Sequence, residues 1–418
     1  AANALLRGRA EQAARILSTA ADSFAALHPA EPTRRRVNYG NRLFRHGERY
    51  GGPGLALAAE MYRAARDAFA RAERWVDRAK AQASLGNALS QQGTRTGGAE
   101  GAALLAQAVT AYRAALEVFT CAAHPVDWAQ TQTNLGIALA EQGKRSGGAE
   151  GKALLTQAVD AYNAALEVRT RTTHPVAWAT TQNNLGSALA EQGKRSGGAE
   201  GKALLTQAVD AYNAALEVRT RTAHPVDWAQ TQNNLGNALQ AQGTRTGGAE
   251  GTARLARAVD AYGKGLEVFT QDTHPVDWAQ TQINLGNALT EQGTRTGEAE
   301  GAARLARAVD AYSNALEVLT QDTHPVDWAR TQINLGNALT EQGTRTGGAE
   351  GAALLAQAVD AYTAALEVLT REAHPVEWAM TRENMARAHK DIADLGATID
   401  PAGHLRAALG HAEAALTV

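Results

Sequence analysis

Between residues 124 and 373 the apolar positions recur at spacings of three and four, the period of a helix, and no stretch alternates with period two. The segment "HPVDWAQTQNNLGNALQAQGTRTGGAEG" (224–251) shows the pattern. It predicts a first helix, A, over 225–242. Pro225 suits the first helical position, Asp227 places a negative charge in the first turn, and Gly243 supplies a stop. The polar stretch "TRTGGAE" reads as a loop. A second helix, B, is expected over 250–270, with Leu255, Ala258, Val259, Tyr262, Leu266 and Val268 as its apolar face. Trp128, Trp178, Trp228, Trp278, Trp328 and Trp378 return every 50 residues, so each unit must bury its apolar face on its neighbours in a stacked array.

The flanks keep this frame. Ala58, Tyr62 and Ala65 precede the B pattern by one period, and Ala408, Ala412 and Ala415 follow it by one. Residues 2–27, with Ala20, Phe24 and Leu27, read as a B-type helix without an A partner. The expectation is eight A–B pairs and one leading helix, about 17 helices in all. The boundaries are a leading helix in 1–33, the array in 34–373 and a degenerate last repeat in 374–418. There Met385, Ala386 and Ala412 replace Leu335, Gly336 and Tyr362.

Copies within the chain can be compared with one another. In helix A, Trp178, Thr181, Gln182, Asn184, Leu185, Gly186, Ala188 and Leu189 are the same residue types in the five units from His124 to His324. Changes fall at 177, 180, 183, 187, 190 and 191, within an arc of about 140° at 100° per residue. The constant residues read as a packing stripe and the variable ones as an exposed stripe. Its content is mostly polar: Asn183, Asn233, Asn237, Asn287 and Asn337, with Gln230, Gln280, Thr290, Glu291, Ile283 and Ile333. Inside the variable arc one residue never changes, as Asn134, Asn184, Asn234, Asn284, Asn334 and Asn384. A side-chain amide donates and accepts, so such a ladder suits pairing with the backbone of an extended peptide. The other reading is that each asparagine bonds a neighbouring helix or loop.

The repeats resemble tetratricopeptide repeats. Leu185 and Gly186 match the family's helix A signature, and Ala208, Tyr212 and Ala215 match helix B. The "HP" opening and the "NNLG" core are similar to the kinesin-light-chain type, and similar long repeats occur in bacterial proteins. The repeat is 50 residues where the family has 34. The extra residues are expected around the two loops, ten at A–B and six at B–A. The resemblance implies an all-α, right-handed superhelical α-solenoid whose A helices line a concave surface that binds a protein or peptide. It implies a non-enzymatic interaction scaffold. The alternative is the sensor or regulatory arm of a larger bacterial effector, of CHAT-protease or NTPase type, with its catalytic domain on other sequence. Self-association through the end repeats is a further expectation. The family's carboxylate clamp needs a lysine two residues before Leu-Gly. Thr133, Asn183, Asn233, Ile283, Ile333 and Glu383 stand there, so that clamp is absent.

Composition narrows the chemistry. A formal net charge of −2 gives no basic field for nucleic acid or an anionic membrane. The single Cys121 excludes a disulfide framework and suits a reducing cytoplasm. No run of 18 apolar residues spans a membrane. "GKRSGGAEGK" (193–202) fails the phosphate-loop pattern, with Ser196 and Ala203 misplaced and no strand before it. His124 to His374 are single residues before prolines, which suits helix starts rather than a metal site. Arg95, Arg145, Arg195, Arg245, Arg295 and Arg345, each with a Glu five residues on, read as exposed pairs worth about 0–1 kcal/mol, or as a basic edge. No cofactor and no catalytic residue is expected.

Overall fold

The computed structural model describes residues 9–22, 31–396 and 400–417. Every regular element among them is helical. After a leading helix α1 (Ala10–Asp22) come eight helix pairs. They are α2 (Glu31–Tyr50) with α3 (Gly54–Arg71), α4 (Trp75–Arg95) with α5 (Gly98–Leu116), α6 (Pro125–Arg145) with α7 (Gly148–Val168), and α8 (Pro175–Arg195) with α9 (Gly198–Leu216). Then follow α10 (Pro225–Arg245) with α11 (Gly248–Leu266), α12 (Pro275–Thr294) with α13 (Glu298–Leu316), α14 (Pro325–Thr346) with α15 (Gly348–Val368), and α16 (Pro375–Asp394) with α17 (Pro401–Ala415). The chain is thus a repeated array of helix pairs. It divides into two compact units, Ala1–Val218 and Arg219–Val418. Of the leading B-type pattern, Ala20 lies in α1, while Phe24 and Leu27 fall outside the described residues.

Two expectations about the period need correction. Helix A does not stop at the glycine: α10 runs through Gly243 to Arg245. Helix B starts two residues early, at Gly248, and ends at Leu266. At the A–B junction the extra residues therefore lengthen the helices, to 21 residues in α10 and 19 in α11, and only Thr246 and Gly247 join them, whereas residues 267–274 do form a longer B–A connection before α12. The glycine serves close packing. A methyl on Gly243 would stand 2.8 Å from Leu255 Cγ, at the antiparallel approach of A and B. The reversal itself uses Gly248, whose φ of +62° is costly for residues with a Cβ.

The six A helices that follow a His-Pro pair, α6, α8, α10, α12, α14 and α16, begin as expected. His124 is the N-cap, Pro125 opens the helix, and Trp128 N–H donates to His124 O at 2.8 Å. The core of the first seven pairs is the B-helix set: Ala108, Tyr112 and Ala115 in α5 are buried, as are Ala308, Tyr312 and Ala315 in α13, while α17 buries none of its residues.

The arginine ladder is not a set of exposed pairs with the following glutamates. Arg145 Nη1 donates to Gly93 O (2.9 Å) and Thr96 O (2.8 Å), and its Nη2 to Thr94 O (2.9 Å). Arg195 binds Gly143, Ser146 and Lys144 carbonyls in the same way, and Arg295 those of Gly243, Thr246 and Thr244. Each guanidinium caps the end of the preceding A helix, where carbonyls lack intrahelical donors and the dipole favours a cation. The glutamate partner lies four residues before, as Arg195 Nε–Glu191 Oε1 at 2.8 Å. A basic edge is therefore not what these residues form.

The last pair departs from the others. His389, His404 and His411 occupy the positions of Leu339, Leu354 and Ala361. His389 stacks on His411 at 5.4 Å and lies 5.3 Å from His404, while Arg382 Nη1 is 2.7 Å from His411 Nδ1. Burial, then the charges of His411 and His404, hold the His389 pKa down at about 4. A histidine depressed in the folded state binds its proton first in the unfolded one. Stability of this pair is then complete above about pH 6.5 and lost as pH falls towards 4. Backbone hydrogen exchange, corrected for intrinsic pH dependence, should show α17 losing protection between pH 7 and 4.5. His389→Leu should reduce that loss, the remainder coming from His411, which burial and Arg382 also hold low; protection independent of pH in the parent chain would refute the assignment.

Candidate functional site on the A helices

The variable stripe is far less exposed than its polar content suggests. Thr133 and Asn183 are buried, and Asn233 is half-buried. The reason is lateral packing: Thr133 Oγ1 lies 3.4 Å from Thr181 Oγ1, and Asn233 Nδ2 donates to Thr281 Oγ1 at 2.5 Å. Within each unit the A helix of the next pair covers this position. Asn233 Oδ1 is buried and has no partner. Exposure remains at Gln130, Ile137, Gln230, Gln280 and Arg330.

The residues after the helix A glycine hold the neighbouring tyrosines. Tyr112 OH donates to Asn87 Oδ1 (2.8 Å), Tyr262 OH to Asn237 Oδ1 (2.8 Å), Tyr312 OH to Asn287 Oδ1 (2.7 Å) and Tyr362 OH to Asn337 Oδ1 (2.8 Å). Burial pushes these phenols up, Tyr362 to about 12. Ser187 takes the same role for Tyr212, but Ile137 gives Tyr162 no acceptor.

The constant asparagines are half-buried, and their bonds differ from pair to pair. Asn134 Nδ2 donates to Asn87 Oδ1 (2.9 Å) and Asn384 Nδ2 to Asn337 Oδ1 (3.0 Å), each crossing to the preceding pair. Gln130 Nε2 donates to Asn134 Oδ1 at 2.9 Å, and Gln280 Nε2 to Asn284 Oδ1 at 3.4 Å. Asn234 is also engaged. Asn184 faces Ile137 in the register that joins Asn134 to Asn87, and has no acceptor there.

In the first unit these side chains form a pocket of about 290 Å³ across α2, α4 and α6. Phe44 and Ile137 give it apolar walls; Asn87, Gln91, Gln130 and Asn134 give it donors and acceptors; Glu48 is the one carboxylate in its lining. Ile137 is 39 % exposed.

Behind this wall lies a residue that the helical pattern does not mark. Arg169 stands where Phe69, Phe119, Phe269, Leu319 and Leu369 are core residues, and it is 7 % exposed. Nη1 donates to Thr133 Oγ1 (2.9 Å) and Thr181 Oγ1 (3.3 Å), and Nη2 to Gln130 Oε1 (2.6 Å). Burial lowers its pKa. The sequence signal was the register: a cation, here and at Arg219, at a position that is aromatic or leucine in the other pairs.

No cluster of three or more His, Cys, Asp or Glu able to hold a metal ion occurs among the described residues. No helix among them is long and apolar enough to cross a membrane.

No family model and no curated protein matches the chain. Solved structures do. The C-terminal part of a TPR repeat-containing protein from Cytophaga hutchinsonii is similar at 14 % identity over 75 % of this chain and 93 % of that one, with a TM-score of 0.44. The apo form of RapI is similar at 10 % identity over 91 % and 97 %, with a TM-score of 0.47. The TPR2AB domain of yeast Sti1, solved as a complex with pHSP90, is similar at 19 % identity over 65 % and 99 %, with a TM-score of 0.23. The first and third of these are tetratricopeptide-repeat proteins. The chain itself is an array of consecutive helix pairs.

Proposed function

We propose that the chain is a non-enzymatic interaction module that holds an extended peptide, or a peptide-like segment of a partner protein, along its A helices. The observation that supports this most is the pocket between α2, α4 and α6. It joins two apolar side chains, Phe44 and Ile137, to amides arranged as both donors and acceptors. Such a mixture matches an extended backbone with side chains on alternate faces. Among the described residues that line it no nucleophile, base and orienting group are assembled, and such an assembly is what acyl or phosphoryl transfer requires.

Asn184 and Asn334 are the members of the ladder best placed to pair with peptide amides. Asn237, Asn287 and Asn337 already accept from tyrosines. Asn134 acts once Gln130 releases it. Asn183 is buried and Asn233 donates to Thr281, while Asn234 and Asn284 are already engaged by other groups.

A photo-crosslinking residue at Ile137 should capture the partner in cell extract. The same residue at Asp160, on the exposed face of α7, should not. Equal capture from both positions would place the interface elsewhere.

A further inference from the structure

Arg169 is a buried cation with only neutral partners. The next repeat shows what such a guanidinium takes when it is offered. Arg219, one period on and 5 % exposed, has the Asp227 carboxylate 3.8 Å from Nη2 and Thr231 Oγ1 at 3.0 Å. In the repeat of Arg169 the residue matching Asp227 is Ala177. The internal carboxylate is missing at one of the two positions where the core holds an arginine.

In its place Arg169 uses Gln130, which is exposed on the pocket wall. A continuous chain of hydrogen bonds follows. Arg169 Nη2 donates to Gln130 Oε1, Gln130 Nε2 to Asn134 Oδ1, and Asn134 Nδ2 to Asn87 Oδ1. Gln130 thus closes two groups at once, a guanidinium N–H and an amide oxygen. A neutral amide satisfies the donor but leaves the buried charge uncompensated, whereas a carboxylate both accepts the bond and neutralises the guanidinium, in a planar geometry that suits two parallel bonds.

We propose that this is a docking point for one acidic residue of the bound peptide. Its carboxylate displaces the Gln130 amide from Arg169 Nη2, and the freed Asn134 Oδ1 accepts a peptide backbone N–H. The site rests on the A-helix face being the peptide-binding surface, and it makes that surface selective for a carboxylate at one subsite. Glu48, in the same lining, sets a like charge against any second acid on the peptide.

The test uses the full chain and three pools of randomised heptapeptides, with Asp, Asn or phosphoserine fixed at the centre. Capture on the protein, read by mass spectrometry, should enrich the Asp pool about tenfold over the Asn pool. Two variants remove the effect by opposite routes. Arg169→Leu installs the residue found at Leu319 and Leu369, and Ala177→Asp supplies the carboxylate that Arg219 already has. Both should fold, with circular dichroism unchanged, and both should bring Asp enrichment down to the Asn level. Equal retention of the Asp and Asn pools overturns the carboxylate site and leaves the peptide surface standing. Preference for phosphoserine overturns it also. Retention of no pool overturns both readings. Asp enrichment that survives in either variant removes Arg169 from the site.

Discussion

Gly236→Ala is expected to destabilise the second unit by about 3 kcal/mol, while Gly263→Ala, on the partner helix of the same pair, stabilises it by about 0.5–1 kcal/mol. The added methyl is the same; its surroundings decide the sign. At Gly236 a Cβ would lie 2.5 Å from Tyr262 Cε1 and 2.8 Å from Cδ1 and Cζ. Tyr262 cannot retreat. It is fully buried, and its hydroxyl donates to Asn237 Oδ1 and lies 2.9 Å from Gln240 Oε1. Overpacking of this kind costs about 1–3 kcal/mol, and a disturbed hydroxyl adds about 1 kcal/mol. Loss of backbone freedom in the unfolded chain returns part of that sum. At Gly263 nothing stands within 4 Å of the new atom, so only the gain in helix propensity remains. Urea unfolding followed by tryptophan fluorescence should move in opposite directions for the two variants. A neutral Gly236→Ala would mean that helices A and B are not held at this distance.

Arg195→Ala should cost the first unit about 3 kcal/mol, and Arg171→Ala less than about 1 kcal/mol, although both remove an arginine that reaches another pair. Arg171 meets the Glu217 side chain in solvent, where water replaces the lost bond. Arg195 is different because its partners are backbone carbonyls at a helix end: Gly143 O at 2.7 Å, Ser146 O at 2.8 Å and Lys144 O at 2.7 Å. No N–H of α6 remains to satisfy Gly143 and Lys144. A guanidinium reaches three oxygens at once through its planar fork, so Arg195→Lys should recover less than half of the loss. Differential denaturation of the three variants checks this. Equal effects of Arg195→Ala and Arg171→Ala would show that the cap is no stronger than a surface ion pair.

The period of 50, the pairing of helices and the core set Ala, Tyr, Ala were legible in the residues, because burial repeats with the helical spacing and leaves its mark at Trp128, Tyr112 and their copies. The count of eight pairs with a leading helix followed from the same register. Glycine could not be read so simply. Gly243 carries the same letter whether it ends a helix or lets another helix approach, and only the position of Leu255 separates the two.

The variable stripe was visible as variation, but not as burial. Whether Thr133 and Asn233 face solvent depends on how closely the next A helix lies, and that distance is a property of packing between pairs. The amides of Asn237, Asn287 and Asn337 were equally ambiguous. A polar residue on a helix face can wait for a ligand or hold a tyrosine 25 residues away, and the sequence states neither. Arg145 and its copies fell on the wrong partner because charge pairing along a sequence favours the nearby glutamate, whereas the folded chain brings the C-terminal carbonyls of the preceding helix within reach. The sequence by itself determined which residues are buried by their own helix pair. The tertiary structure decided everything that depends on the neighbouring pair, because contacts 44 to 52 residues apart in sequence have no local signature.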